Sequence, residues 1–227
     1  MADFVLALPI LLFSVVAHEY AHAWAAYHQG DDTAYAMGRL TLNPLPHIDP
    51  FMSVLFPLGL YWISSLSGHP FTFGAARPVP IDPRRFRNLR RGDLIVSSAG
   101  IITNLLLGVG CAVLFVAVGL VAEVADGLMG VLGTLQRMLA FGVTLNFTLA
   151  VFNLVPIPPL DGSHLLAQAL PAGWRVRYGR LGRFGFVVLL VMLMAPGLWS
   201  VLLWPVDFLS GFTFSMVGPY ALPTVAR

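Results

Sequence analysis

Long apolar runs dominate the chain, and short polar or proline-rich stretches separate them. Four of these runs predict helices long enough to cross a hydrocarbon core about 30 Å thick. They cover residues 4–27, 94–121, 131–154 and 184–204. A fifth run, residues 51–66, is marginal for a full span, so a tilted or re-entrant helix is the alternative there. The pattern predicts an all-α polytopic membrane protein with about five to six transmembrane or re-entrant helices.

The stretches between the first and third predicted helices are rich in proline. Three prolines within residues 33–50 exclude a continuous helix there, and residues 69–83 have a similar composition. We expect both segments to be extended, with a short strand at residues 33–42. Non-helical backbone at membrane depth is stable only where protein or water satisfies its polar groups, so these segments should line a cavity. The tail from residue 206 is mildly apolar and is expected at the interface.

Composition supports a membrane location. Hydrophobic residues make up 57% of the chain and charged residues 11%, against about 25% charged in a soluble domain. The basic residues are all arginine, and most fall in two clusters, residues 84–91 and 175–183, beside apolar runs. Such clusters mark the cytoplasmic ends of membrane spans, so no nucleic-acid-binding face is expected. The single cysteine, Cys111, excludes an intrachain disulfide.

Three ionisable residues, His18, Glu19 and His22, interrupt the first apolar helix. Two histidines four positions apart lie on one helix face, so both imidazoles can reach the same metal ion. Glu19 borders that face, where it can hold a metal-activated water and take its proton. This is the H-E-x-x-H arrangement of zinc hydrolases. Ionisable residues inside a membrane span are costly, which favours a functional reason for their presence.

A catalytic zinc has three protein ligands and one open position, so a third ligand must come from elsewhere in the chain. Asp161 is the best candidate, because it follows a helix end broken by prolines and can point into the bundle. The alternative is that Asp161 caps the helix that follows it. His47 is the rival ligand, although a hydrogen bond to backbone is favoured for it. His164 is near the site by sequence, and a role outside the ligand set is favoured for it.

Four sequence segments together resemble the site-2 protease family of intramembrane zinc metalloproteases. The segments, in the family's order, are HEYAH at 18–22, LNPLPHID at 42–49, ARPVP at 76–80 and NLVPIPPLDG at 153–162. The resemblance covers most of the chain up to about residue 165 and implies one zinc ion per chain. It implies that His18, His22 and Asp161 bind this zinc and that Glu19 activates the water.

The resemblance also implies a catalytic role for Asn153, which would position the substrate or polarise the scissile carbonyl. The family's AGPxxN pattern reads AGIITN at 99–104, without its proline, and this departure leaves the role of Asn104 open. Asn104, His47 and His164 are candidates for contacts behind the ligands or with substrate. No inserted PDZ or CBS domain is expected. We expect a single integral-membrane metalloprotease domain over residues 1–227, with its core at about 4–165 and a C-terminal helix and tail at 181–227.

The expected function is an intramembrane zinc endopeptidase that hydrolyses peptide bonds in or near transmembrane segments of membrane-protein substrates, as in regulated intramembrane proteolysis. Its partners would be a transmembrane protein or peptide and membrane lipid, with a homo-oligomer left open. The expected location is a prokaryotic plasma membrane, with the active site nearer the cytoplasmic side. The alternatives are a membrane transporter that binds a cation through the same residues and a catalytically silent relative. The two proline-rich segments could offer an edge with which an extended substrate pairs.

Overall fold

The computed structural model describes residues 2–49, 55, 59, 62, 77–194, 196–223 and 225. These residues contain eight α-helices, joined by turns and short 3-10 helices, and no strand. The helices are α1 Ala2–Gln29, α2 Thr33–Ala36, α3 Leu89–Ala122, α4 Met129–Leu154, α5 Asp161–Ala169, α6 Ala172–Leu181, α7 Gly185–Met194 and α8 Pro196–Val217.

Four helical stretches among the described residues are long and apolar enough to cross a membrane. They are Leu6–Gln29, Leu89–Ala122, Met129–Leu154 and Ser200–Tyr220. The predicted all-α membrane fold is therefore confirmed, and the first three long helices were predicted with only small errors at their ends. The prediction of a spanning or re-entrant run at 51–66 lies outside the described residues, apart from residues 55, 59 and 62. The same holds for residues 69–76 of the second proline-rich segment.

Two predictions from the sequence are wrong. Residues 33–42 form no strand, because Asp31 accepts a hydrogen bond from the Thr33 N–H and starts a turn that continues into α2. The helix of the final apolar run does not end near residue 204, since α8 continues to Val217. Most of the predicted interfacial tail thus belongs to a spanning helix.

The end of α1 is fixed by a glycine with a left-handed backbone. Gly30 has φ of +111°, its N–H donates to the carbonyl of Tyr27, and the Asp31 N–H donates to the carbonyl of Ala26. This pair of bonds is the Schellman motif, which satisfies carbonyl groups that the helix end would leave unpaired. The motif turns the chain back from α1 and lets Asp31 and Thr33 begin the next segment.

Helix α3 is the centre of the bundle and packs against α1, α4 and α5. Its 34 residues give it a length of about 51 Å, so its first turns, with Arg90 and Arg91, extend beyond a hydrocarbon core of about 30 Å. Close contact is possible because small residues face the neighbouring helices; Gly108, for example, lies against the ring of Phe147 in α4. The buried apolar cluster between α3, α4 and α8 includes Phe115, Val143 and Val206.

The fully buried Gln136 joins the end of the chain to this bundle. Its Nε2 donates to the carbonyls of Phe115 and Tyr220, at 3.1 and 2.9 Å, and its Oε1 accepts from the Leu222 N–H at 2.8 Å. Both ends of the amide are therefore satisfied, as a polar group in an apolar interior requires.

We expect the Gln136→Met variant to lose about 2 kcal/mol of unfolding free energy, because it leaves buried backbone groups of Tyr220 and Leu222 without partners. Thermal unfolding in detergent measures this change as a lowered Tm. Thr134→Val is the control, since both hydrogen bonds of the Thr134 hydroxyl, to the carbonyl of Gly130 and from Arg137, are exposed and lie within its own helix. Equal melting temperatures for the two variants would contradict a bracing role for Gln136.

Candidate active site

The helical period of α1 places His18 and His22 one turn apart on its buried face. Their exposed fractions are 8% and 6%, and their Nε2 atoms lie 3.0 Å from each other. The ring planes are nearly perpendicular, at 82°. Two ring nitrogens from one helix therefore converge on a single point inside the bundle.

Asp161 is the first residue of α5 and completes this cluster. Its Oδ2 lies 3.3 Å from the Nε2 of His18 and 3.2 Å from the Nε2 of His22. Gly162 permits this position, because any side chain there would meet the carbonyls of Leu154 and Val155 at the end of α4. The predicted meeting of His18, His22 and Asp161 is thus what the structure contains.

A second carboxylate, Asp93 in α3, holds α5 in place. The Gln168 Nε2 donates to the Oδ2 of Asp93 at 2.6 Å, and the Nδ1 of His164 lies 3.3 Å from its Oδ1. The hydrogen bond to Asp93 raises the pKa of His164. His164 is therefore paired with Asp93 and is not part of the cluster.

The cluster has the chemistry of a metal site. Among the described residues His18, His22 and Asp161 form the one group of three potential ligands, with all ligand atoms within 4.8 Å of one another. The three separations of 3.0 to 3.3 Å are close to the roughly 3.3 Å expected between ligands on a tetrahedral zinc with bonds of about 2.05 Å. Two imidazoles and one carboxylate are also a ligand set that catalytic zinc uses.

The Oδ2 of Asp161 gives an independent test of whether these residues fit a cation. It is buried and has no hydrogen-bond donor, although two ring nitrogens are near. The Nδ1 of His22 donates to the carbonyl of Val96 at 2.7 Å, so in the neutral ring its Nε2 carries only a lone pair. A lone pair facing a carboxylate oxygen at 3.2 Å is repulsive unless a cation lies between them. The residues present therefore fit a divalent metal ion.

Gly100 in α3 allows the histidines to pack this closely against the neighbouring helix. A Cβ atom at this position would lie 2.5 Å from the Cε1 of His18 and 2.5 Å from the Nε2 of His22. The rings of His18 and His22 thus occupy the space that the Cβ atom of any other residue would need. The Ala-Gly pair at 99–100, noted in the sequence, has its physical reason here.

Glu19 lies beside the cluster and is fixed at one of its two oxygens. The Oε2 atom accepts a hydrogen bond of 2.8 Å from the Val79 N–H, which belongs to the extended segment 77–82. The buried Arg39 holds that segment, because its guanidinium donates to the carbonyls of Arg77 and Pro78. The Asp82 N–H donates to Asp31 at the end of α1, which attaches the other end of the segment.

These bonds limit the proposed use of the segment as an edge for substrate. The Arg77 N–H donates to the carbonyl of His47 and the Val79 N–H to Glu19, while Pro78 and Pro80 have no N–H. Residues 77–80 therefore have no free donor with which an extended substrate could pair. Only carbonyl groups of this stretch remain for such pairing.

Of the other predicted site residues, His47 and Asn153 have partners outside the cluster and Asn104 has one inside it. His47 is buried, and its Nε2 donates to the carbonyl of Thr41 at 3.0 Å, so it is not part of the ligand group. The Nδ2 of Asn153 donates to the carbonyl of Leu149 in its own helix. Asn104 contacts the cluster directly, since its Oδ1 lies 2.6 Å from the Nδ1 of His18. The sequence left the role of Asn104 open, marked Val79 only as part of the ARPVP segment and gave no signal for Val96; both valines act through backbone groups.

Fold and site together define a polytopic membrane protein with a buried cluster of two histidines and one carboxylate. A family model described as peptidase family M50 matches residues 50–196, which is more than half of the chain. The chain belongs to peptidase family M50. No solved structure gives a significant match.

Several bacterial relatives cover most of the chain. "Putative zinc metalloprotease YwhC" of Bacillus subtilis is 38% identical over 200 residues, which are 86% of this chain and 82% of the relative. "Putative zinc metalloprotease Rip2" of Mycolicibacterium smegmatis is 31% identical over 209 residues, covering 90% of this chain and 74% of the relative. The protein of the same name from Mycobacterium tuberculosis H37Rv is 33% identical over 212 residues, covering 92% and 75%.

Proposed function

We propose that His18, His22 and Asp161 bind the catalytic zinc ion and that Glu19 is the general base and acid. The observation that carries this proposal is the convergence of the three ligand atoms, each 3.0 to 3.3 Å from the other two, beside Glu19. The family and the names of the relatives agree with it: the chain is a membrane-embedded zinc metalloprotease. The transporter alternative is not favoured.

Zinc bound at this site supplies Lewis-acid activation of a water molecule and of the scissile carbonyl. The protein supplies the proton transfers. Because the Oε2 of Glu19 is held by the Val79 N–H, its Oε1 is available to take the proton of the attacking water. The same oxygen then gives the proton to the nitrogen of the leaving amine, so Glu19 ends each cycle ionised.

The substrate class follows from where the cluster lies. His18 and His22 belong to a membrane-spanning helix and are buried, so a peptide bond must reach them at membrane depth. We propose that the substrates are membrane proteins cleaved in or near a transmembrane segment. A helical segment must first unwind there, because a helix engages its own carbonyls in hydrogen bonds. Asn153 is a proposed contact for the substrate carbonyl; in this structure its Nδ2 is bonded to Leu149.

We further propose a prokaryotic plasma membrane and an active site nearer the cytoplasmic surface. The arginines that precede and begin α3 favour a cytoplasmic location for that helix end. Gly100, which contacts both histidines, follows the first residue of α3, Leu89, by about 16 Å of helix, and the helix continues to Ala122. The site thus lies in the half of α3 next to the arginine cluster.

Metal removal tests the proposed function. We expect the detergent-purified protein to cleave peptides from a panel of transmembrane segments, to lose this cleavage when a chelator removes its zinc, and to regain it when zinc is restored. Cleavage that continues in metal-free protein would contradict the proposal. Metal flux into liposomes, persisting in Glu19→Gln, would support the transporter alternative instead.

The Asp161→Ala variant should lose most of its bound zinc, because two histidines alone form an incomplete site. Metal analysis of the purified variant measures this loss. Asp32→Ala is the control, since Asp32 is exposed and pairs with Arg85 away from the cluster. Unchanged zinc content in Asp161→Ala would exclude Asp161 as a ligand and make His47, whose buried Nδ1 has no partner, the candidate to test next.

A further inference from the structure

Two buried asparagines lie behind His18. Asn104 in α3 has no exposed surface, and Asn146 in α4 is 1% exposed. Burial of an amide in an apolar bundle is costly unless its oxygen and nitrogen are both paired. In these two residues the pairing forms a continuous relay that ends on the histidine.

The direction of every hydrogen bond in this relay is fixed from one end. The Nδ2 of Asn146 donates to the carbonyl of Gly142 at 2.9 Å, and a carbonyl can only accept. The Oδ1 of Asn146 therefore faces Asn104 and accepts from its Nδ2, also at 2.9 Å. This turns the Oδ1 of Asn104 towards the Nδ1 of His18, 2.6 Å away. The Nδ1 of His18 must then be the donor.

The relay decides between two neutral forms of His18. With the proton on Nδ1, its Nε2 is a free lone pair, as a metal ligand requires. With the proton on Nε2, His18 could instead donate to the Nε2 of His22, which is only 3.0 Å away and is itself unprotonated because Val96 fixes that ring. In this second form the two histidines would be hydrogen-bonded to each other, and the Nε2 of His18 would have no lone pair for a metal ion. If the amide of Asn104 were free to turn over, it would permit this second form, because its NH2 group could donate to the unprotonated Nδ1 of His18.

We propose that Asn104 and Asn146 are positioning residues for the metal site, and that the amide relay from Gly142 keeps His18 in the form that binds zinc. This inference rests on the proposed function. In this proposal Asn104 orients His18 directly, which is the role that the sequence left open. Asn146 orients Asn104 and contacts none of the three proposed ligands.

A double-mutant cycle on the full-length protein tests the relay, with zinc affinity measured by competition against a chelator in detergent. Asn146→Leu should weaken zinc binding about tenfold, because the Asn104 amide is then free to turn over. In an Asn104→Asp background the same substitution should change zinc affinity less than about twofold. Both oxygens of a carboxylate can only accept from His18, so residue 146 is not needed to orient the side chain at position 104.

The control is Gln136→Met, which also replaces a buried amide of α4 but lies about 15 Å along the helix from Asn146. It should lower stability and leave zinc affinity at the wild-type value. Equal effects of Asn146→Leu in both backgrounds, no effect in either, or equal weakening by Gln136→Met would overturn the relay. Absence of zinc binding by the wild type would instead contradict the proposed function, so the two failures are distinguishable.

Nitrogen NMR of the metal-free protein gives a readout that packing damage alone would not produce. With labelled histidine, the wild-type spectrum should show His18 protonated at Nδ1. Asn146→Leu should show a mixture of the two neutral forms, and Asn104→Asp should restore the Nδ1 form in the double variant. A His18 ring that stays in the Nδ1 form in Asn146→Leu would overturn the proposal.

Discussion

Glu19→Gln should bind zinc as the wild type does and cleave its substrates at least about a thousandfold more slowly. Glutamine has the shape of glutamate, and its Oε1 can still accept the hydrogen bond from the Val79 N–H, so the segment 77–82 should remain in place. What the amide cannot do is act as a base, because the second carboxylate oxygen is replaced by an NH2 group. The loss should therefore fall on kcat while the metal content stays constant.

The control for this variant is Glu123→Gln, which changes the chain's other glutamate, an exposed residue at the end of α3. It should keep both zinc and activity. Turnover by Glu19→Gln near the wild-type rate would remove Glu19 from the mechanism. Loss of zinc from Glu19→Gln would show instead that the carboxylate is needed for the site's structure.

Gly100→Ala should lower zinc affinity at least about tenfold and should also destabilise the fold by about 1–3 kcal/mol. The added Cβ would lie 2.5 Å from the rings of both His18 and His22, far inside van der Waals contact. Either α3 moves away from α1 or the rings turn from the convergent arrangement, and each change separates the ligand atoms. Zinc competition and thermal unfolding on the same preparation measure the two effects.

Gly110→Ala is a matched control in the same helix, because a Cβ at that position has no neighbour within 4 Å. It should leave zinc affinity unchanged and stabilise α3 slightly, since alanine is the better helix former. If Gly100→Ala bound zinc as tightly as Gly110→Ala, the close approach of α3 would not be required for the metal site.

The residues of the cluster could be named from the sequence because their arrangement is local or has a strong motif. The positions of His18, Glu19 and His22 follow from helix periodicity alone, and Asp161 follows a helix end that prolines define. The groups that orient them could not be predicted in this way. Val96 and Val79 act through backbone atoms that every residue has.

The role of the two relay asparagines depends on how helices pack. Asn104 and Asn146 are 42 positions apart and meet only because α3 and α4 cross at that depth. Neither residue's spacing to His18 carries a periodic signal. The error at residues 33–42 has a similar origin, because the short α2 follows a turn that depends on a single local hydrogen bond to Asp31. Hydrophobic periodicity does not report such effects.

X-ray absorption at the zinc edge of the purified wild-type protein is the most direct test of the central claim. We expect one zinc per chain, bound by nitrogen and oxygen ligands at about 2.0–2.1 Å, with the scattering pattern of two imidazoles. Such a result would agree with a site formed by His18, His22 and Asp161. Protein without zinc, or a sulfur ligand at about 2.3 Å, which only Cys111 or a methionine could provide, would contradict this account.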